Sequence, residues 1–125
     1  MNVEPRDIAL QHLYEAEQRK ADHVDIDNVS TKANRIIRGV LEHKATLDRS
    51  IEEASEHWSL ERMPPVDRTV LRIGLYELRY ERDVPQAVIV SEAVRLAKTY
   101  STERSGAFVN GVLGHLARAE RSTEE

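Results

Sequence analysis

The sequence has 125 residues, a length that favours a single domain with a real hydrophobic core. Its 40% hydrophobic and 32% charged residues are typical of a globular chain rather than a disordered one. The lack of cysteine excludes a disulfide framework and a thiolate metal site. No apolar run approaches the roughly 18 residues of a membrane span, and the polar N-terminus is unlike a signal peptide, so we expect a soluble cytoplasmic protein.

The net charge of -4 argues weakly against a protein that coats nucleic acid indiscriminately. The charge is unevenly spread, because residues 1–63 hold 9 basic and 13 acidic residues whereas residues 64–125 hold 9 of each. The neutral C-terminal half therefore leaves room for local basic patches.

Apolar residues recur with helical spacing in nearly every segment, which predicts an all-α fold. In the N-terminal half, helices are predicted over about residues 6–20, 30–45 and 47–57. Pro5 suits the start of the first helix, and either Asn28 or Ser30 can cap the second.

Pro64 and Pro65 mark the sharpest boundary, since adjacent prolines disfavour a continuous helix. After them we predict helices over about residues 66–80, 85–98 and 108–118. The first of these is apolar almost all round, which is typical of a central, buried helix. We therefore predict one domain over residues 1–125, built from two packed three-helix bundles with six to seven helices in all. The expected subdomains are about 1–61 and 64–120.

Motifs for catalysis are missing from the sequence, which has neither a phosphate-binding glycine loop nor a nucleophile elbow. The histidines are far apart and lack metal-binding spacing: His12, His23, His43, His57 and His115. A solvated or partly packed histidine is the favoured interpretation of each. We expect no enzyme activity, no metal and no cofactor.

Charged residues of the predicted central helix invite two interpretations. Arg68, Arg72 and Arg79 share a narrow stripe that could contact phosphates or carboxylates, although a solvated face paired with local acids is favoured. Glu77 falls on the apolar side, where an unpaired carboxylate is costly. We interpret Glu77 as a hydrogen-bonded clamp between helices.

The last predicted helix carries a core stripe of Phe108, Val112 and Leu116. Gly111 and Gly114 leave a second face of this helix without side chains, although each glycine weakens a helix. On the residues alone, close helix packing and contact with a ligand explain that face equally well.

Three segments, 66–78, 83–101 and 108–114, resemble the NusB family of bacterial transcription antitermination factors in order and spacing, and residues 6–17 resemble its beginning. The resemblance implies two three-helix subdomains and a non-enzymatic function. It also implies pairing with NusE, a small-subunit ribosomal protein. The pair is expected to bind single-stranded boxA RNA in ribosomal RNA leader transcripts, supporting RNA polymerase processivity and ribosomal RNA maturation.

The resemblance also suggests roles for individual residues. Single-stranded RNA is recognised by stacking on aromatic rings and by contacts to base edges. Candidate RNA contacts are Phe108 and Tyr14 for stacking, Gln11 and Asn110 for base edges, and Arg6, Lys98 and Arg104 for phosphates. The side that meets NusE is expected to include Asp67, Arg72 and Tyr76. Structural roles are expected for Glu77, Gly111 and Gly114, with close helix packing favoured for the glycines.

The segment before the first helix departs from the arginine-rich arm that is common in the family, since Arg6 is its sole basic residue. Fewer phosphate contacts weaken RNA binding. We therefore expect weak binding by the chain alone and reliance on NusE. Two other functions stay open: the RNA-binding part of a ribosomal RNA cytosine methyltransferase, whose catalytic domain would lie outside these residues, and a helical adaptor that binds protein only.

Overall fold

A computed structural model describes residues 4–21, 24, 29–56 and 58–121. Within these ranges the chain forms five α-helices, one short 3₁₀ turn and no strand, which confirms the all-α prediction. The elements are α1 (Pro5–Gln18), α2 (Thr31–Ala54), the 3₁₀ turn (Leu60–Arg62), α3 (Pro65–Tyr80), α4 (Gln86–Tyr100) and α5 (Glu103–Arg121). None of the described helices combines the length and apolar character that a membrane span requires.

The second and third predicted helices form one continuous helix, α2, so the predicted break near residue 46 is wrong. Neither glycine nor proline interrupts that region, and Leu47 and Ile51 extend the buried stripe begun by Ile36 and Val40. The helix count is therefore slightly lower than predicted. The helix ends at Ala54, before the positive-φ residue Glu56.

Side-chain hydrogen bonds cap the starts of α2 and α5. The Ser30 hydroxyl accepts a hydrogen bond from the Ala33 backbone N–H at 3.2 Å, and the other predicted cap, Asn28, lies outside the described residues. At α5 the Thr102 hydroxyl accepts from the Ser105 N–H at 3.0 Å. This cap lets α5 begin at residue 103, about five residues before the predicted start near residue 108.

The central helix of the fold is α3, as predicted from its apolar surface. It packs against α1 and α2 on one side and against α4 and α5 on the other. Gly74 allows α5 to approach α3 closely, because a Cβ there would collide with the Leu113 side chain. Two three-helix groups result, and they share α3 and one continuous core. The subdomain limits near residues 61–64 stay a prediction.

Candidate RNA and partner interface

One pocket, of about 560 Å³, lies where the 3₁₀ turn meets the beginnings of α3 and α5. We call it the aromatic pocket, and its main lining residues are Trp58, Arg62, Met63, Asp67, Arg104 and Phe108. The Trp58 side chain is 56% exposed and Phe108 is half-buried. Their ring centroids are 6.3 Å apart with an interplanar angle of 50°. Accessible aromatic surface thus lies beside two guanidinium groups.

A second pocket, of about 360 Å³, lies between α1 and the beginning of α3. We call it the tyrosine pocket, and it is lined by Asp7, Leu10, Gln11, Tyr14, Val66 and Tyr100. The Tyr100 hydroxyl donates to Asp7 at 2.7 Å, and Arg95 donates to the same carboxylate at 2.6 Å. Burial alone would raise the pKa of Asp7, but these two hydrogen bonds hold it below its usual value.

The two pockets occupy the same end of the molecule. Val66 lines one and Asp67 the other. Tyr100, at the end of α4, lines the tyrosine pocket, and Thr102, just before α5, lines the aromatic pocket. The fold therefore brings together five residues that the sequence analysis selected: Gln11, Tyr14, Asp67, Arg104 and Phe108.

Lys98 and Asn110 are also exposed, as surface contacts must be. The methylene groups of Lys98 lie beside Gly106, where a Cβ would collide with them, and its Nζ is 3.7 Å from Glu103. Asn110 stands two residues beyond Phe108 on α5 and makes no hydrogen bond with the described side chains. Both polar groups are available to a ligand.

Arg6 is placed differently from its predicted role as a phosphate contact. Its side chain is buried, and its Nε and Nη2 atoms each lie 2.8 Å from an oxygen of Glu77. Burial alone would lower the pKa of Arg6, but the paired carboxylate raises it. This bidentate pair joins α1 to α3, so the structure does not support a phosphate contact by Arg6, and Glu77 occupies the clamp position described above.

Interhelical ion pairs occupy the arginine stripe of α3. Arg72 holds Asp48 of α2 through bonds of 2.7 and 3.1 Å, and it reaches Glu17 of α1 at 2.7 Å. Arg68 also binds Glu17, at 2.7 Å. Burial would raise the pKa of Glu17, but these two arginines lower it below its usual value. These ion pairs therefore join α3 to α1 and α2.

Arg72 and Tyr76 are both buried, which does not support direct contact with a partner protein. The Tyr76 hydroxyl donates to Glu81 at 2.8 Å, and its ring fills the space that a side chain at Gly39 would need. The third predicted partner residue, Asp67, is also largely buried but lines the aromatic pocket.

Gly111 and Gly114 of α5 do not serve close helix packing, so that prediction is wrong. A Cβ at Gly111 would meet nothing within 4 Å, and one at Gly114 would approach only Arg118, at 3.7 Å. The tight approaches occur at other glycines, including Gly74 and Gly106. The smooth face of α5 is therefore open beside the aromatic pocket.

Trp58, Arg62 and Tyr100 belong to these pockets, although the sequence analysis did not select them. Trp58 is the single tryptophan of the chain and lies just beyond the helix predicted over residues 47–57. Its residue type was the available signal, because tryptophan is enriched at binding surfaces. His23 and His57, two of the histidines considered above, lie outside the described residues.

An all-helical fold with a polar, partly aromatic surface at one end defines a small helical binding protein. Comparison with known proteins identifies the class further. The profile of the NusB family matches residues 3–118. The transcription antitermination protein NusB of Arthrobacter sp. (strain FB24) is 46% identical over 126 residues, spanning 94% of this chain and 93% of that protein. The corresponding protein of Acidothermus cellulolyticus is 44% identical, spanning 92% and 85%.

Solved structures agree with the sequence comparison. T. maritima NusB superimposes with a TM-score of 0.80 at 37% identity, covering 94% of this chain and 93% of that one. A NusB chain solved with NusE and double-stranded RNA gives a TM-score of 0.80 at 26% identity, covering 92% and 94%. The chain belongs to the NusB family of transcription antitermination proteins.

Proposed function

We propose that this chain is a non-enzymatic antitermination factor that pairs with NusE and binds single-stranded boxA RNA in ribosomal RNA leader transcripts. In this role it supports RNA polymerase processivity and ribosomal RNA maturation in the cytoplasm. The match to the NusB family over residues 3–118 carries the proposal. The complex of a related NusB with NusE and RNA supports both partners.

The end of the molecule that holds the two pockets is the proposed RNA surface. It offers aromatic rings at Tyr14 and Phe108, amide groups at Gln11 and Asn110, and a guanidinium at Arg104. Together these groups supply stacking, edge contacts and a phosphate contact, which single-stranded recognition requires.

Ion pairing limits the number of cations that are free for RNA. Arg6, Arg68 and Arg72 are committed to acidic partners, whereas Arg62, Lys98 and Arg104 stay exposed. Three phosphate contacts on a single strand correspond to a salt slope of only about -2.1. We therefore propose that the chain alone binds RNA weakly and that NusE supplies much of the affinity.

A gel shift with boxA RNA, titrated with NusE, tests the proposal. We expect little complex with the chain alone at physiological salt and a discrete ternary complex when NusE is present. Asn110→Ala and Phe108→Ala should weaken that complex at least several-fold. Arg49→Ala is the matched control. The Arg49 side chain is exposed on α2 and makes no ion pair or hydrogen bond with the described residues.

Two results would oppose the proposal. Tight boxA binding by the chain without NusE would contradict the dependence on the partner. Binding of NusE with no RNA bound by the pair would indicate a protein-only adaptor. Thermal melts of each variant are needed alongside, because loss of the fold in Phe108→Ala would show that this ring is needed for stability rather than for RNA.

A further inference from the structure

Asp67 lines the aromatic pocket and carries a carboxylate oxygen that has no hydrogen-bond partner among the described residues. Asp67 is 3% exposed, and its Oδ1 is the buried side-chain atom of the described residues that has no hydrogen-bond donor. Such a group is costly to keep, because it has lost water without gaining a replacement. Since χ2 of aspartate is a broad torsion, the carboxylate can turn toward an N–H group that enters the pocket.

Two guanidinium groups line the same pocket. The side chains of Arg62 and Arg104 are exposed, and neither side chain makes an ion pair or hydrogen bond with the described part of the chain. They contrast with Arg6 and Arg72, whose guanidinium groups are held by carboxylates. The N-terminal end of α5 opens beside them and adds further positive potential.

The charge of the pocket selects between two kinds of ligand. Two arginines and one aspartate line it, which gives a net charge of about +1 at neutral pH. A lysine or arginine from a partner protein would satisfy Asp67 but would be repelled by both guanidinium groups. A nucleotide satisfies all three, because its base offers N–H donors and its phosphate is anionic.

The aromatic rings fix how a base can lie. Insertion of a base between two rings needs about 7 Å between parallel planes, twice the contact distance of carbon atoms. Trp58 and Phe108 are 6.3 Å apart and tilted by 50°, so a base cannot enter between them. A base can instead stack on the exposed Trp58 ring, where the edge of the Phe108 ring would contact the edge of the base.

We propose that the aromatic pocket binds one unpaired nucleotide, with its base on Trp58, its N–H edge on Asp67 and its phosphate on Arg62 and Arg104. This inference rests on the proposed RNA-binding function and assigns a base-reading role to Asp67. Guanine fits best, since its N1–H and N2–H lie side by side and match the two oxygens of a carboxylate. Uracil fits worst, because its single N–H is flanked by two carbonyl oxygens that the carboxylate repels.

Fluorescence anisotropy with saturating NusE tests the inference on three labelled RNA probes. Each probe is a 12-nucleotide uridine strand, with guanosine, inosine or uridine at the centre. We expect at least about fivefold tighter binding of the guanosine probe than of the inosine probe, which lacks the N2 amino group. Asp67→Asn should abolish that preference while leaving binding of the all-uridine probe within about twofold.

Matched variants separate the parts of the pocket. Arg62→Ala should weaken all three probes by a similar factor, as expected for a phosphate contact, and Arg49→Ala should weaken none. Trp58 is largely exposed, so Trp58→Ala should lower affinity for every probe without lowering the melting temperature by more than a few degrees. Asp67→Asn should melt close to wild type, since the carboxylate oxygen that it alters has no partner to lose.

The alternatives give different results. A guanosine preference that survives Asp67→Asn, or no preference in the wild type, would overturn the inference while boxA binding upholds the proposed function. Weaker NusE binding by Asp67→Asn in the absence of RNA would show that the pocket takes a cationic side chain of the partner instead. If the wild-type pair binds neither these probes nor boxA RNA, the proposed function fails and the inference fails with it.

Discussion

The pair between Arg6 and Glu77 makes a sharp prediction, because each side chain is buried and the two belong to different helices. Arg6 is 5% exposed and Glu77 is 1% exposed. Two bonds of 2.8 Å join them, and Arg6 has two further acidic neighbours: Glu4 at 3.1 Å and Glu92 at 3.9 Å. Breaking a buried pair is costly mainly because one charge is left uncompensated.

The two single substitutions should therefore differ. In Arg6→Met, Glu77 loses both of its side-chain hydrogen bonds among the described residues, and we expect a loss of about 3–5 kcal/mol in the free energy of unfolding. In Glu77→Gln, the amide oxygen can still accept one bond, and Arg6 retains Glu4 and Glu92. We expect a smaller loss, about 1–3 kcal/mol. The double variant Arg6→Met/Glu77→Leu should recover most of the loss, because neither charge is stranded.

Urea unfolding followed by circular dichroism measures all three values, and boxA binding in the presence of NusE is measured on the double variant. The reasoning requires near wild-type RNA binding by that variant. A loss below about 1 kcal/mol in Arg6→Met, together with a clear drop in RNA affinity, would refute it and return Arg6 to the role of a phosphate contact.

Three further predictions concern packing, capping and acid stability. Thermal melts should show opposite effects of two alanine substitutions: Gly39→Ala loses about 1–3 kcal/mol because its Cβ overlaps the Tyr76 ring, whereas Gly111→Ala gains about 0.5–1 kcal/mol because its space is open. Equal signs would contradict the packing described here. Arg121 donates to four carbonyls around the end of α3, at 2.6 to 3.3 Å, so Arg121→Lys should cost about 1–3 kcal/mol in urea unfolding. No change in stability would show that the positive charge alone suffices. Glu17 has a lowered pKa in the folded state, so its contribution is complete above about pH 4.5 and is lost as the pH falls through that lowered pKa. Glu17→Gln should therefore reduce the fall in the free energy of unfolding between pH 7 and pH 3. If that fall is unchanged in the variant, the Glu17 carboxylate does not contribute to it.

Much of the fold was predictable from local pattern. The period of the apolar residues indicated helices, and Pro64–Pro65 marked the start of α3, because these signals act within a few residues of chain. The uniform apolar surface of α3 also indicated its central position. The continuity of α2 was not predicted, although residues 44–46 contain neither glycine nor proline.

The candidate site was only partly predictable for a physical reason. Arginine is equally suited to phosphates and to carboxylates, so its type does not reveal its partner. Arg6 meets Glu77 from 71 residues away, and Arg72 meets Glu17 from 55 residues away. Those contacts removed two arginines from the predicted surface, whereas Arg62, which has no such partner in the described part of the chain, joined it.

The sequence by itself determined the helical class, the central helix and the family. The spacing of apolar residues, the prolines and the order of the motifs can all be recognised without knowledge of tertiary contacts. Only the tertiary structure decided which charged side chains form ion pairs inside the fold and which are exposed to a ligand. It also decided that Gly111 borders open space and that Asp67, Trp58 and Phe108 meet in one pocket. Helix packing brings such residues together from distant positions, and no local pattern records those distances.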